Sequence, residues 1–360
     1  MIAWRNLKIG VRLAIGIGAI LAFLAIVAGA AVVGLSGGNA NFAEYRGMAR
    51  QTAAAGLMNG ELLVARMNVK EFLLKGTDQS VTNVSESIDT LQKIITDSES
   101  LFAGSEEDRQ ALQAIVTAAQ EYEDAFVKVT ELRKQRNALV DQVNDIGPKI
   151  EKALSAVMES AYRDADAEAA YRTGDSLRSL LLARLYLSKF LTENLAENTD
   201  RVRQEMSDFD SKATTTLSQL QNPERRRLTQ EALDLSKTYV TVFDELQGVV
   251  FARNDLIDNT MNKVGPEMAH QLDNIVISKK AAQDELGPRA SAEMERSMVI
   301  ALVISGVALV MGLLAGFVIA RGITRPISAM TNAMGVLANG DTTVEIPARD
   351  QKDEIGVMAG

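Results

Sequence analysis

Arginines stand where a helix in a bundle would place an apolar side chain. Leu112, Ile115, Ala119, Tyr122, Phe126 and Val129 recur at alternating three- and four-residue steps, the mark of one buried helical seam, and the same count lands on Arg133 and Arg136. Tyr239, Phe243, Leu246 and Val250 lead in the same way to Arg253 and then Ile257. Arg66 lies between Leu62, Val69 and Leu73, and Arg184 between Leu180, Leu187 and Leu191. A guanidinium in a bundle core is costly unless a well-placed anion and several hydrogen bonds replace its lost hydration. Two arrangements meet that demand. One is internal: a carboxylate such as Glu61, Glu71, Asp141 or Asp258, or a stem that lies in the core while its head reaches water. The other is a pocket between helices for a small carboxylate or other small anion, held by Arg66, Arg136, Arg184 and Arg253, with Tyr122, Tyr239, Asn137 and Asn254 as neutral donors. Tyr122 and Tyr239 also suit plain seam packing, and Asn137 and Asn254 also suit the surface.

Other chemistry is scarce. The chain has no cysteine and one histidine, His270, which excludes thiolate nucleophiles, disulfide frameworks and the usual zinc clusters. No phosphate-binding loop and no nucleophile–base pairing is present, so neither an enzyme nor a metal or organic cofactor is expected, and His270 reads as structural. The formal net charge of −9, concentrated between residues 36 and 296, does not suit nucleic acid or anionic lipid.

The elements that must position these arginines are helices, since Ala, Leu, Glu, Gln, Lys and Met abound and prolines number six in 360 residues. An all-α fold follows. Leu13 to Leu35 and Ser297 to Ala320 lack any charge for longer than the roughly 20 residues a bilayer requires. Both read as membrane spans, the first as a retained anchor because its apolar run exceeds that of a cleaved signal. Arg5, Lys8 and Arg12 before the first span and Arg321 and Arg325 after the second place both ends in the cytoplasm. The expected organisation is a tail at 1–12, a span at 13–35, an outer domain at 36–296, a span at 297–320 and a linker at 321–360.

The outer domain repeats itself. "RNALVDQVNDIGP" (136–148) answers "RNDLIDNTMNKVGP" (253–266), "ARMNVKEFL" (65–73) answers "ARLYLSKFL" (183–191), and Tyr122 and Phe126 match Tyr239 and Phe243 at a near-constant offset. Breaks at Gly76-Thr77-Asp78, Ala103-Gly104-Ser105, Thr173-Gly174-Asp175, Glu197-Asn198-Thr199 and Gln221-Asn222-Pro223 predict six helices, over 38–76, 79–103, 106–172, 175–196, 199–221 and 224–296. The third and sixth are each on the order of 100 Å long at about 1.5 Å per residue, much longer than the others. That inequality implies two stacked four-helix bundles sharing the two long helices. Gly147-Pro148 and Gly265-Pro266 fall away from helix ends, where a kink would ease the passage between bundles.

After the second span, Ile327, Met330, Met334 and Leu337 form a seam, Asn339-Gly340-Asp341 breaks the helix, and Ile355 and Met358 begin another. With Pro326 opening the first helix and "DEIG" (353–356) the second, this stretch resembles a HAMP linker, the parallel four-helix module of dimeric receptors, and by that resemblance Pro326 and Glu354 match its most recognisable positions. The chain ends at Gly360 within the second helix, so an output domain is expected beyond it. Together, the basic tail, two spans, duplicated six-helix outer domain and linker resemble a bacterial methyl-accepting chemotaxis receptor with a helical bimodular sensor domain. The resemblance implies a homodimeric, multi-pass protein of the inner membrane with a periplasmic sensor for a small organic acid, acting on a cytoplasmic chemotaxis kinase and adaptor. It further implies ligand contacts at Arg66, Arg184 and Arg253. Some members carry a second arginine where this chain has Leu63, which makes a monocarboxylate or another small anion as good a candidate as a dicarboxylate. The same outer domain and linker also precede histidine kinases and cyclic-nucleotide enzymes, and the downstream sequence separates these outputs. A structural or adhesive membrane protein is a third class, separated by the absence of any stabilising small anion.

Overall fold

The computed structural model of the protein describes residues 7–349 and 351–360, and every regular element among them is helical. Arg5 of the basic tail lies outside the described residues. In chain order the helices are α1 (Ile9–Lys75), α2 (Asp78–Phe102), α3 (Glu106–Arg163), α4 (Ala167–Glu193), α5 (Ala196–Gln219) and α6 (Pro223–Asp255). A π-helical segment, Leu256–Met261, then joins α6 to α7 (Asn262–Ile319), and a second, Ala320–Thr324, joins α7 to α8 (Arg325–Ala338), which α9 (Glu354–Ala359) follows.

Side-chain caps set several helix starts. Thr77 accepts the Ser80 N–H at 3.2 Å and Ser105 that of Asp108 at 3.1 Å, with Glu106, Glu107 and Asp108 complementing the helix dipole. Asn222 accepts two N–H groups ahead of Pro223 in the first turn of α6.

Two predicted breaks lie elsewhere. The chain turns at Asp164–Asp166 rather than at Thr173-Gly174-Asp175, so α3 ends at Arg163 and α4 runs straight through Gly174. Ala165 takes a left-handed φ of 60° there, and buried Arg225 of α6 holds the turn by pairing with Asp164 and, at 3.1 Å, with Asp166. A tertiary ion pair thus outweighs the turn chemistry of Thr-Gly-Asp, whose Thr173 hydroxyl bonds back to Ala169 O at 2.7 Å within the helix. The next break falls at Asn194, with φ of 57°, not at Glu197-Asn198-Thr199, because asparagine tolerates the left-handed C-cap.

Residues 53–276 form one compact unit with two large apolar cores. The proximal core draws on α1, α2, the first half of α3 and the stretch around Met261–Ile275; the distal core draws on the second half of α3 with α4, α5 and α6. A small cluster of Val157, Ala161, Ala169 and Leu220 closes the end of the distal bundle. The duplication is visible in the packing: Phe72 meets Phe126 edge-on at 5.2 Å, and their counterparts Phe190 and Phe243 meet the same way at 6.2 Å. Such a pair adds about 0.5–1.5 kcal/mol beyond its buried area.

Residues 7–52 and 277–360 belong to a second unit, described by itself. Its helices include two long and apolar enough to cross a membrane, and Leu21, Leu24, Val32, Leu302, Leu309 and Leu313 are exposed along them, as lipid-facing residues would be. Met330, Ile355 and Ala359 bury together between α8 and α9, whereas Ile327, Met334 and Leu337 of the predicted seam stay exposed in the single chain.

Candidate functional site

Arg66 reaches from α1 across the proximal bundle to α7, and Arg184 from α4 across the distal bundle to α3. A Cβ placed on Gly265 would sit 3.2 Å from Cδ and Nε of Arg66 and 3.2 Å from the Tyr122 ring; one on Gly147 would sit 3.1 Å from Nε of Arg184. A Cβ at either glycine would need the arginine stem beside it to give by a few tenths of an ångström. The two Gly-Pro pairs do not fall at the passage between bundles. Both lie inside continuous α-helix, each within one bundle, and the irregular turn is the π-helix at Leu256–Met261 instead. A π-bulge of this kind inserts one residue without ending the helix.

Each arginine–tyrosine–glycine cluster is built from both repeats. Arg66 and Tyr122 come from the first and Gly265 from the second, while Arg184 and Tyr239 come from the second and Gly147 from the first. The end of each repeat crosses over to complete the other's bundle. Sequence periodicity missed these glycines as pocket walls, although their recurrence at the same offset as the arginines was a visible sign.

The tyrosines are neutral and buried. Burial pushes the Tyr122 and Tyr239 hydroxyls up to about 12, against the opposing pull of Arg66 and Arg184 respectively. The Tyr239 hydroxyl is fully enclosed and has no hydrogen-bond partner. Among the described residues Arg66 and Arg184, both half-buried, have no hydrogen-bond or ion-pair partner either. Of the acids that sequence offered, Glu71 pairs with Lys75 at 2.7 Å and Asp258 accepts from Asn262 at 3.3 Å. Among the described residues Glu61 and Asp141 form no ion pair.

Arg136 and Arg253 belong to neither cluster. They lie in the stretch between the two cores, where α3 contributes no buried apolar residue from Thr130 to Ala138 and the opposing helix none from Phe251 to Thr260. Each is held by its own neighbour: Arg136 donates to Asn137 Oδ1 at 3.0 Å, and Arg253 to Asn254 Oδ1 at 3.1 and 2.7 Å. Burial first, then Arg136 and Arg133, lowers the Arg253 pKa below its ordinary value. Arg133 is committed elsewhere, donating to the carbonyls of Phe72 and Leu73 at 3.2 and 3.4 Å at the C-terminus of α1, beside Gly76 with its φ of 62°. His270 is exposed.

In the other unit, Glu354 accepts the Ile9 N–H at 2.8 Å, and that hydrogen bond holds its carboxyl below the usual range. Next to it, Asp353 caps α9 through the Gly356 N–H and pairs with Arg12, which also donates to Gly322 O at 3.1 Å; both ionic side chains are buried. Pro326 sits in the first turn of α8. The start of α1, the end of the second span and the start of α9 are thereby joined.

A family model for a four helix bundle sensory module for signal transduction matches residues 6–177, and one for the HAMP domain matches residues 318–360. No curated protein matches the chain. Two apolar helices flanking the sensory bundles and a HAMP domain after the second give the chain the layout of a transmembrane signal-transduction receptor of the methyl-accepting type, with a periplasmic sensor and a cytoplasmic HAMP linker at the inner membrane.

Proposed function

We propose that this receptor senses a small organic acid or other small anion in the periplasm, bound in the pockets of Arg66 with Tyr122 and Arg184 with Tyr239, and relays occupancy through HAMP to a cytoplasmic chemotaxis kinase and adaptor. The observation that carries this is a half-buried guanidinium beside a buried neutral tyrosine, twice, with no internal carboxylate at either. A carboxylate oxygen pair fits the planar fork of an arginine and accepts from a tyrosine hydroxyl, which a neutral ligand could do only weakly. Arg136 and Arg253, with Asn137 and Asn254, serve the same ligands indirectly, from between the bundles. The receptor acts as a homodimer of the helical bimodular kind, a second copy covering Ile327, Met334 and Leu337 of the HAMP helix.

Relay follows from connectivity. Gly265, which touches Arg66, lies on α7, and α7 continues into the second span. A ligand that prefers one of two close-lying bundle arrangements shifts α7 relative to α1, and only that difference in affinity can drive the change. Pro326 and Glu354 then receive the displacement.

The test is a thermal-shift screen of small organic acids on the whole chain in lipid nanodiscs. Some acid should raise the melting temperature, since saturation at about 100 times Kd stabilises by roughly 2.7 kcal/mol. The gain should shrink in Arg66→Ala or Arg184→Ala. If no small anion stabilises the protein, or if both variants respond as the parent does, the reading fails.

A further inference from the structure

The two pockets share their walls along two helices. α3 brings Tyr122 to the proximal pocket and Gly147 to the distal one, and it is α-helical without interruption between them, a rod of roughly 37 Å at 1.5 Å per residue. The antiparallel strut brings Tyr239 to the distal pocket on α6 and Gly265 to the proximal one on α7. Counting back along this pair from Tyr122 opposite Gly265 puts Arg253 level with the turn of Arg133 and Arg136. Like charges thus face one another where the two helices cross from one bundle to the other, in the stretch that contributes no fully buried apolar residue. Among the described residues neither Arg136 nor Arg253 is paired with a carboxylate. Burial, then the charges of Arg136 and Arg133, lowers the pKa of Arg253, in keeping with their proximity.

This layout has an energetic consequence. An anion in either pocket has to fix α3 against the opposing strut at its own level, against the repulsion at the crossing. Once the first anion has ordered the pair of helices, the second meets walls already in place. We propose that the two pockets are positively coupled, so that an anion in one raises the affinity of the other, and that Arg136 and Arg253 at the crossing set the strength of the coupling. The inference rests on the reading that both pockets take small anions. Coupling of this kind is typically worth a factor of about 5 or more in affinity.

The experiment uses the whole chain in nanodiscs with 3-fluorotyrosine, the resonances of Tyr122 and Tyr239 being assigned by Tyr→Phe variants, and acetate as the probe. Half-saturation of the Tyr122 signal should move to about 5-fold higher acetate in Arg184→Gln, and that of Tyr239 likewise in Arg66→Gln; Arg184→Lys and Arg66→Lys serve if the glutamine variants fold poorly. Arg136→Gln with Arg253→Gln should tighten both pockets and reduce these shifts. A ligand-free arm stands beside this one: Gly147→Ala should displace the Tyr122 resonance, and Gly265→Ala that of Tyr239. Half-saturation unchanged by the remote arginine overturns the coupling, as do wall substitutions felt only in their own pocket. Should acetate move neither resonance while the wall substitutions are felt across the molecule, the small-carboxylate reading is overturned and the mechanical coupling supported.

Discussion

The proximal and distal clusters have the same three parts, an arginine, a tyrosine and a helical glycine, yet their settings differ. The distal tyrosine is completely enclosed and its hydroxyl unpartnered, while Tyr122 keeps a small exposed fraction. The proximal glycine lies four residues after the π-helix Leu256–Met261, on the helix that continues into the second span, whereas the distal glycine lies on unbroken α3.

Breaking this comparison begins with the arginines. Isothermal titration of the stabilising acid should show about 10- to 100-fold weaker binding at the pocket whose arginine becomes alanine, the loss of charge-assisted hydrogen bonds of about 1.5–3 kcal/mol. An equal loss at both sites from either substitution would dissolve the distinction between the pockets.

Alkaline titration comes next. Both tyrosines have folded pKa values raised to about 12 from an ordinary 10.0, because burial disfavours the phenolate. Their contribution to stability is fully present below pH 10 and is lost as pH rises through the folded value. Denaturant midpoints should therefore fall between about pH 10 and 12, and by less in Tyr122→Phe or Tyr239→Phe, each tyrosine accounting for up to roughly 2 kcal/mol.

At neutral pH the two phenylalanine variants should diverge. Removing the unpartnered Tyr239 hydroxyl should stabilise the ligand-free protein by about 1 kcal/mol, since an unsatisfied buried hydroxyl costs about 1–3 kcal/mol. Tyr122→Phe should leave stability nearly unchanged. Equal melting shifts for the two would place their hydroxyls in equivalent environments.

The smallest effect concerns glycine. Gly248→Ala, with open space around it, should gain about 0.5–1 kcal/mol of helix propensity, while Gly147→Ala and Gly265→Ala should lose that gain to contact with Arg184 and Arg66. Chemical denaturation of the three variants reads the difference directly.

Much of the fold was legible from local chemistry. Ser105 with its acidic first turn, Thr77, and Asn222-Pro223 announce helix starts because capping and the helix dipole act within a few residues. The turn at Asp164–Asp166 was not legible, because what holds it is Arg225, distant in sequence and brought near only by folding. The site divides in the same way. Seam spacing picked out Arg66, Arg136, Arg184 and Arg253, but could not separate the two that lie beside Gly265 and Gly147 from the two between the cores.

By itself the sequence determined the helical class, the two spans, the HAMP-like linker and the duplication, since each is written in composition and in periods that a helix reads locally. Only the tertiary structure decided that the repeats exchange their ends. Which glycine faces which arginine depends on the antiparallel register of two long helices, a sum over many side-chain contacts that no single residue encodes.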